Sequence, residues 1–428
     1  MGIISAMYAG VSGIKSFSTA IQVIGNNLAN INTVGFKASR TEFGDLLSQG
    51  LTGIVSSSQL GRGTRVLGIT RLISQGSFTT TDVNTDVAIG GNGWFQLTDG
   101  ARNYYTRDGQ FRVDQNGYLV NGSGYRVIGY QYTPTGEATT STGQISLSNL
   151  ITNPNKTSEV VLSANLDANS AVPTAPWDAQ NPTDTSNFST SIRVYDSLGA
   201  SHEVAIFFRK TSDLHWDWHA LVDSSEINGG VNTWTECSHG SLVFNATGAL
   251  DQEATTTNDF DFVGGATQSQ QIAFDFGDSI TTDSGTGLTG ITQFAAQSVV
   301  GFQTQDGYAA GKLMSVAIDP SGVISGLFSN GRTRDVAQLC IASFVNDTGL
   351  ETVGNNIFVE TPLSGQPTVL QPGTGAAGSV TANALELANV DMANEFVNMI
   401  QNQRAYQANT RIVTVGDQLL SETVNLVR

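Results

Sequence analysis

The stretch NALELANVDMANEFVNMIQNQRAYQANTRIVTVGDQLLSETVNLVR, residues 383–428, places apolar side chains at Leu385, Met392, Met399, Tyr406, Val413, Leu420 and Val427, a spacing of seven sustained to the end of the chain. Such a repeat marks a helix that packs against other helices. Phe396 and Val424 add to the same face, while Gln403, Thr410 and Asp417 interrupt it. Asn383 followed by Glu386 has the spacing of a capping box, so the helix is expected to start at residue 384. At a rise of 1.5 Å per residue it would be a rod about 65 Å long, more than a globular core of this size needs.

The other end of the chain reads the same way. The first 36 residues hold one charged side chain, Lys15, and two interleaved seven-residue series: Met7, Ile14, Ile21, Leu28 and Ile3, Gly10, Phe17, Ile24, Ile31. Gly10, Gly13 and Gly25 lower intrinsic helicity by roughly 1 kcal/mol each, so this helix is expected to order only when packed, leaving loose ends in a free monomer. An intramolecular bundle is the plainer alternative, but it would join helices some 350 residues apart.

Between the two ends the pattern changes to short alternating runs broken by Asp99-Gly100, Asp108-Gly109, Asn116-Gly117, Asn121-Gly122, Ser321-Gly322 and Asn330-Gly331, which are hairpin signals. The chain is thus read as mainly β with α-helical termini of coiled-coil type. The runs 111–120 and 316–326 resemble each other, suggesting one β domain sampled before and after an insertion. The expected order is terminal helices at 1–30 and 384–428, a connector at 31–70, a discontinuous β domain at 71–148 and 297–372, an inserted outer β domain at 149–296, and a Gly-rich linker at 373–383.

Of 428 residues only 13% are charged, and the net charge is −17. Residues 211–311 contain thirteen Asp and Glu and no Lys or Arg. With five lysines in all, no cationic cluster exists for nucleic acid or an anionic membrane. No window of 18 apolar residues and no secretory leader pattern occur, so neither membrane insertion nor a cleaved signal is expected. Cys237 and Cys340 are too few for a disulfide framework.

Several motifs resemble bacterial flagellar rod and hook proteins. Ala29-Asn-Ile-Asn-Thr-Val-Gly-Phe-Lys37 is similar to the Asn-rich motif after the first helix of that family. Gly91-Asn-Gly-Trp-Phe-Gln-Leu97, Tyr105-Thr-Arg-Asp-Gly-Gln-Phe-Arg112 and Asn116-Gly-Tyr-Leu-Val120 resemble its first β domain. Leu387-Ala-Asn-Val-Asp-Met392, Glu395-Phe-Val-Asn-Met-Ile400 and Gln403-Arg-Ala-Tyr-Gln-Ala-Asn409 resemble its C-terminal helix. Rod members are much shorter, so the resemblance with this length implies a structural subunit of the hook, a flexible tube that transmits motor torque to the filament.

The resemblance implies a homopolymer whose assembly seam is Ile3, Met7, Ile14, Phe17, Ile21, Ile24, Leu28, Leu385, Met392, Phe396, Met399, Tyr406, Val413, Leu420, Val424 and Val427. It implies a connector motif of Asn27, Asn30, Asn32, Thr33, Gly35, Phe36 and Lys37 that touches neighbouring copies, with Arg40, Glu42, Arg62, Arg65 and Arg71 as candidates for weak ion pairs between copies. It also implies an extracellular site in the flagellum, export through the flagellar type III system without a cleaved signal, and contacts with rod, hook-cap, length-control and hook–filament junction proteins. A distal rod protein with an insertion and a secreted adhesin or glycan-active β protein are the alternatives.

No nucleophile elbow, phosphate loop or catalytic carboxylate pair is recognisable, so neither an enzyme nor a cofactor is expected. Alternation in Leu214-His-Trp-Asp-Trp-His-Ala-Leu221 puts His215, Asp217 and His219 on one strand face, with Cys237 and His239 nearby. That set suits zinc, but a half-buried strand with a polar side accounts for it as well, and no metal is expected. Asp259, Asp261, Asp275 and Asp278 lack the loop spacing of a calcium site.

Overall fold

The computed structural model describes residues 2–46, 49–50, 59–60, 62–133, 136–148, 150–230 and 232–426. The chain is mostly β, with long helices at Gly2–Ala29 and Met392–Leu426, and it forms two compact units. The first comprises residues 1–150, 314–327 and 333–428; the second comprises 151–313 and 328–332.

In the first unit the two long helices lie side by side. Gly10 meets Asn409 and Val413, whereas Asn27 meets Glu395, so the helices run antiparallel. The N-terminal helix also packs on a hairpin of strands Ser39–Asp45 and Thr64–Arg71. There the Phe17 and Phe43 rings lie 5.5 Å apart, and Ser12 Oγ accepts from Thr64 N at 3.1 Å. The β body centres on strand Trp94–Thr98, which pairs with Asn103–Thr106, Arg126–Tyr132 and Ile341–Ser343. Its core holds Trp94, Tyr105, Ala342, Phe344, Leu350 and Phe358. The hairpin-like runs at 111–120 and 316–326 both fall in this unit.

In the second unit a five-stranded antiparallel meander runs through Phe188–Tyr195, Ser201–Ser212, His215–Asp223, Trp234–Phe244 and Leu250–Asn258. A smaller sheet pairs Glu159–Asn165 with Ala273–Asp275 in parallel and with Val299–Gln305 antiparallel. The inner faces of both sheets share one core, in which Trp216, Trp218, Phe208, Phe260 and Phe276 are fully buried.

Three expected boundaries need correction. The C-terminal helix starts at Met392, not at residue 384, and its 35 residues span about 52 Å. Asn383 is left-handed at φ +52°, and Ala384–Glu386 is a strand paired with Phe78–Thr80. The helix is capped instead by Asp391, whose Oδ1 accepts from Asn394 N at 3.0 Å. The expected linker at 373–383 contains strand Ser379–Ala382, paired with Val87–Gly90. Residues 297–313 belong to the second unit, because Val299–Gln305 completes its smaller sheet and the Asp306 carboxylate accepts from the Ser158 and Glu159 amides.

Candidate assembly surface

The two terminal helices meet through small and polar side chains. On the N-terminal helix Gly10, Gly13, Ser16, Ala20, Ile24 and Asn27 are buried. On the C-terminal helix the least exposed positions are Glu395, Met399, Asn402, Ala405, Asn409, Val413, Gly416 and Leu420, at heptad spacing. A Cβ on Gly10 would lie 3.2 Å from Val413 Cγ2, and one on Gly13 would lie 2.6 Å from Asn409 Oδ1. The glycines that weaken the helix in isolation therefore let its backbone approach the partner.

Of the expected seam, Ile24 is buried, and Met7, Ile14, Phe17, Ile21, Leu28, Met399, Val413 and Leu420 are half-buried in this pairing. Met392, Phe396, Tyr406 and Val424 point to solvent. Leu385 is not in the helix at all; it is buried in the strand 384–386. The side chain of Ile3 and the whole of Val427 lie outside the described residues. Ile4, Tyr8, Val11, Val397, Ile400, Ile412, Val415 and Leu419, absent from the expected seam, are exposed as well. One helix partner thus leaves much apolar surface in water.

The connector motif is tied mostly to its own chain. The Asn27 carboxamide donates from Nδ2 to Ser39 O at 2.8 Å and accepts Ser39 N at 2.9 Å, pairing like a strand residue where the chain leaves the helix. Asn30 donates to Asn26 O and accepts from Thr33 Oγ1. Asn32 is exposed, and Phe36 O accepts from Asn389 N. Gly35 adopts φ +66°, and a Cβ there would lie 2.7 Å from Arg107 C. Gly35→Ala is therefore expected to destabilise the first unit by more than about 1 kcal/mol, because the left-handed conformation and the clash act together. A lower urea midpoint at unchanged slope would register it.

Lys37, expected to face neighbouring copies, is buried against its own chain. Its Nζ donates to Glu386 Oε1 at 2.6 Å and to Ser74 O at 2.9 Å. Glu386 also accepts Gly76 N at 2.8 Å and Arg107 Nη1 at 3.3 Å, and Arg107 donates further to Gly91 O. All three side chains are at most 3% exposed. Burial lowers the Lys37 pKa, with Arg107 acting in the same sense and Glu386 opposing it. Lys37 was legible as part of a motif, but Arg107 and Glu386 carried no signal of this pairing. The expected ion pairs between copies also change: Arg40 pairs with Glu42 of its own chain at 3.7 Å, and Arg71 donates to Leu350 O and covers the Phe358 ring.

The histidine face of the second unit has another use. Trp177 stacks on His219 at 3.8 Å and donates from Nε1 to Glu236, whose other oxygen contacts His219 and His239 Nδ1. Trp177 lies outside the sheets, between strands Glu159–Asn165 and Phe188–Tyr195. No group of three or more His, Cys, Asp and Glu arranged for a metal occurs among the described residues. Cys237 and Cys340 are free and buried, and burial pushes each thiol up to about 12. No helix among the described residues is long and apolar enough to cross a membrane.

Four family descriptions match in chain order: flagella basal body rod protein at residues 7–37, the D1 domain of flagellar hook protein FlgE/F/G at 88–165, the D2 domain of flagellar basal body protein FlaE at 165–308, and the C-terminal region of flagellar basal body rod FlgEFG protein at 381–426. The chain is 33% identical to the flagellar hook protein FlgE of Treponema pallidum, over 99% of both chains. It is 34% identical to that of Escherichia coli, over 97% of this chain and 98% of the relative. A crystal structure of Helicobacter pylori flagellar hook protein FlgE2 overlaps 72% of this chain and all of that one, with TM-score 0.46 and 16% identity.

Proposed function

The chain belongs to the flagellar hook protein family and is a structural subunit of the hook, and from that premise we propose that its terminal helices polymerise into the inner tube while the β units form bendable outer layers. The supporting observation is the apolar surface left open on the C-terminal helix after it has paired with its own N-terminal helix. Neighbouring copies would cover it, and the exclusion of water would drive tube formation. The expectation of loose ends is narrowed accordingly: the two helices pair within one chain, and assembly adds a second layer of burial. The relatives matched end to end are hook proteins, which favours the hook over a rod or adhesin reading.

The outer units would meet through polar, hydrated contacts that exchange at little cost as the tube bends. The connector would contact neighbours through its exposed side, including Asn32 and Arg65. The role is mechanical rather than enzymatic, no cofactor takes part, and the chain would leave by the flagellar type III route with its N-terminus uncleaved. Rod, hook-cap, length-control and hook–filament junction proteins would be its partners in the finished structure. A chain lacking residues 1–29 and 392–428 is expected to keep the β signal in circular dichroism yet form no tubes by electron microscopy and restore no motility. Tubes of normal diameter from that truncated chain would refute the reading.

A further inference from the structure

We propose that residues 277–290 of the second unit form a proton-latched flap, held on the edge of strand Leu250–Asn258 while the nearby Glu253 carboxyl is protonated and released when that proton leaves. The docking contacts are few and polar. Ile280 N donates to Leu250 O at 3.1 Å, Thr281 N to Asp251 O at 2.8 Å, and Leu250 N to Gly287 O at 2.9 Å. The Thr281 hydroxyl donates to Asp251 Oδ1. Within the segment, Asp283 accepts from Ser279 N and Oγ, and Gly285 and Gly287 amides donate back to Ser279 and Asp278. Its apolar side chains, Ile280 and Leu288, are exposed, so little hydrophobic burial holds it down.

The neck is narrow, because a Cβ on Gly277 would lie 2.5 Å from Gly290 Cα and one on Gly290 would lie 1.8 Å from Phe276 O.

Close to this segment the part-buried Glu253 has one oxygen, Oε2, buried without a hydrogen-bond partner. The charges around it are all acidic: Asp283 in the flap, Asp275 on strand Ala273–Asp275, and farther along Asp251 on its own strand and Asp278 in the flap. On the strand Trp234–Phe244 its register partner is Leu242. No Lys or Arg occurs anywhere in residues 211–311 to compensate. A proton on Glu253 would relieve this arrangement. Burial, with Asp283 and Asp275, outweighs the Phe276 backbone amide and pushes the Glu253 carboxyl up to about 7.

The sign follows from linkage. A carboxyl whose pKa is higher in the closed state makes closing favourable at low pH, progressively less so as pH rises from the ordinary carboxylate range to about 7, and constant beyond. Opening bares the backbone of Leu250 and Asp251 at a sheet edge, a surface on which an extended segment can pair.

Hydrogen exchange of the full-length monomer in chelator, corrected for intrinsic rates, tests this. Protection of the Leu250, Ile280 and Thr281 amides is expected to fall at least about tenfold between pH 5 and pH 8, the one-proton limit being about tenfold per pH unit across the window. The amides of Phe208 and Trp218 should hold constant, and Glu253→Gln should keep the flap protected at both pH values. Protection independent of pH in the native chain, the same pH dependence in Glu253→Gln, or closure at pH 5 that requires added calcium would each overturn the proposal.

Discussion

Replacing Glu386 with alanine is expected to destabilise the first unit by about 3–5 kcal/mol, since it leaves two buried cations without their counter-charge. Lys37 Nζ and Arg107 Nη1 lie 2.6 and 3.3 Å from the same carboxylate, and the Gly76 amide would lose its acceptor too. Neither cation can turn to water, because both side chains are almost fully buried. For a unit of this size the loss should lower the melting temperature by roughly 10 °C. Lys37→Met combined with Glu386→Ala should recover part of it, since only Arg107 then remains unpaired. A double-mutant cycle measured by urea denaturation should show a coupling of at least about 1 kcal/mol. Additive losses would mean that Lys37 and Glu386 act independently.

The same triad shows why part of this protein could not be read from sequence. Residues 37, 107 and 386 come from three distant segments, and no local pattern links them. The Asn383-x-x-Glu386 spacing mimics a capping box, and Leu385 happens to fall seven residues before Met392. Strand pairing with Phe78–Thr80 and the buried ion pairs override that local signal. Asp391 then caps the helix, eight residues after the spurious cap at Asn383. What was legible was periodic: the seven-residue spacing of both ends, the Gly-containing turns, and the inward Trp216 and Trp218 of the central strand in the second unit. Alternation also put His219 on the opposite face, but nothing local told that Trp177 would cover it.

The heptad reading was right about the helix and incomplete about what lies on each side of it. Apolar spacing alone assigns large side chains to the nearest interface, whereas Gly10 and Gly13 reserve that place for a close backbone approach to Asn409 and Val413. Large residues such as Phe396 and Ile400 are then displaced to the flanks, where they stay half exposed.

That division gives the second large effect. Phe396→Asp with Ile400→Asp should cost the monomer about 1–2 kcal/mol, from the covered half of each side chain and the like charges one turn apart, and leave it folded. Assembly should suffer far more. Covering the remaining half of a phenylalanine and an isoleucine is worth about 2 kcal/mol together, and excluding two new carboxylates from water opposes association by more than that. Each 1.4 kcal/mol is tenfold in an association constant, so the concentration needed for tube growth should rise by at least about a hundredfold. Gly13→Leu is the contrasting variant. It pushes on Asn409 inside one chain, so it should lower the monomer's helix signal before any tube forms. If Phe396→Asp/Ile400→Asp tubes grow at the native concentration, the flanks of the C-terminal helix do not carry the packing between copies and that part of the reading fails.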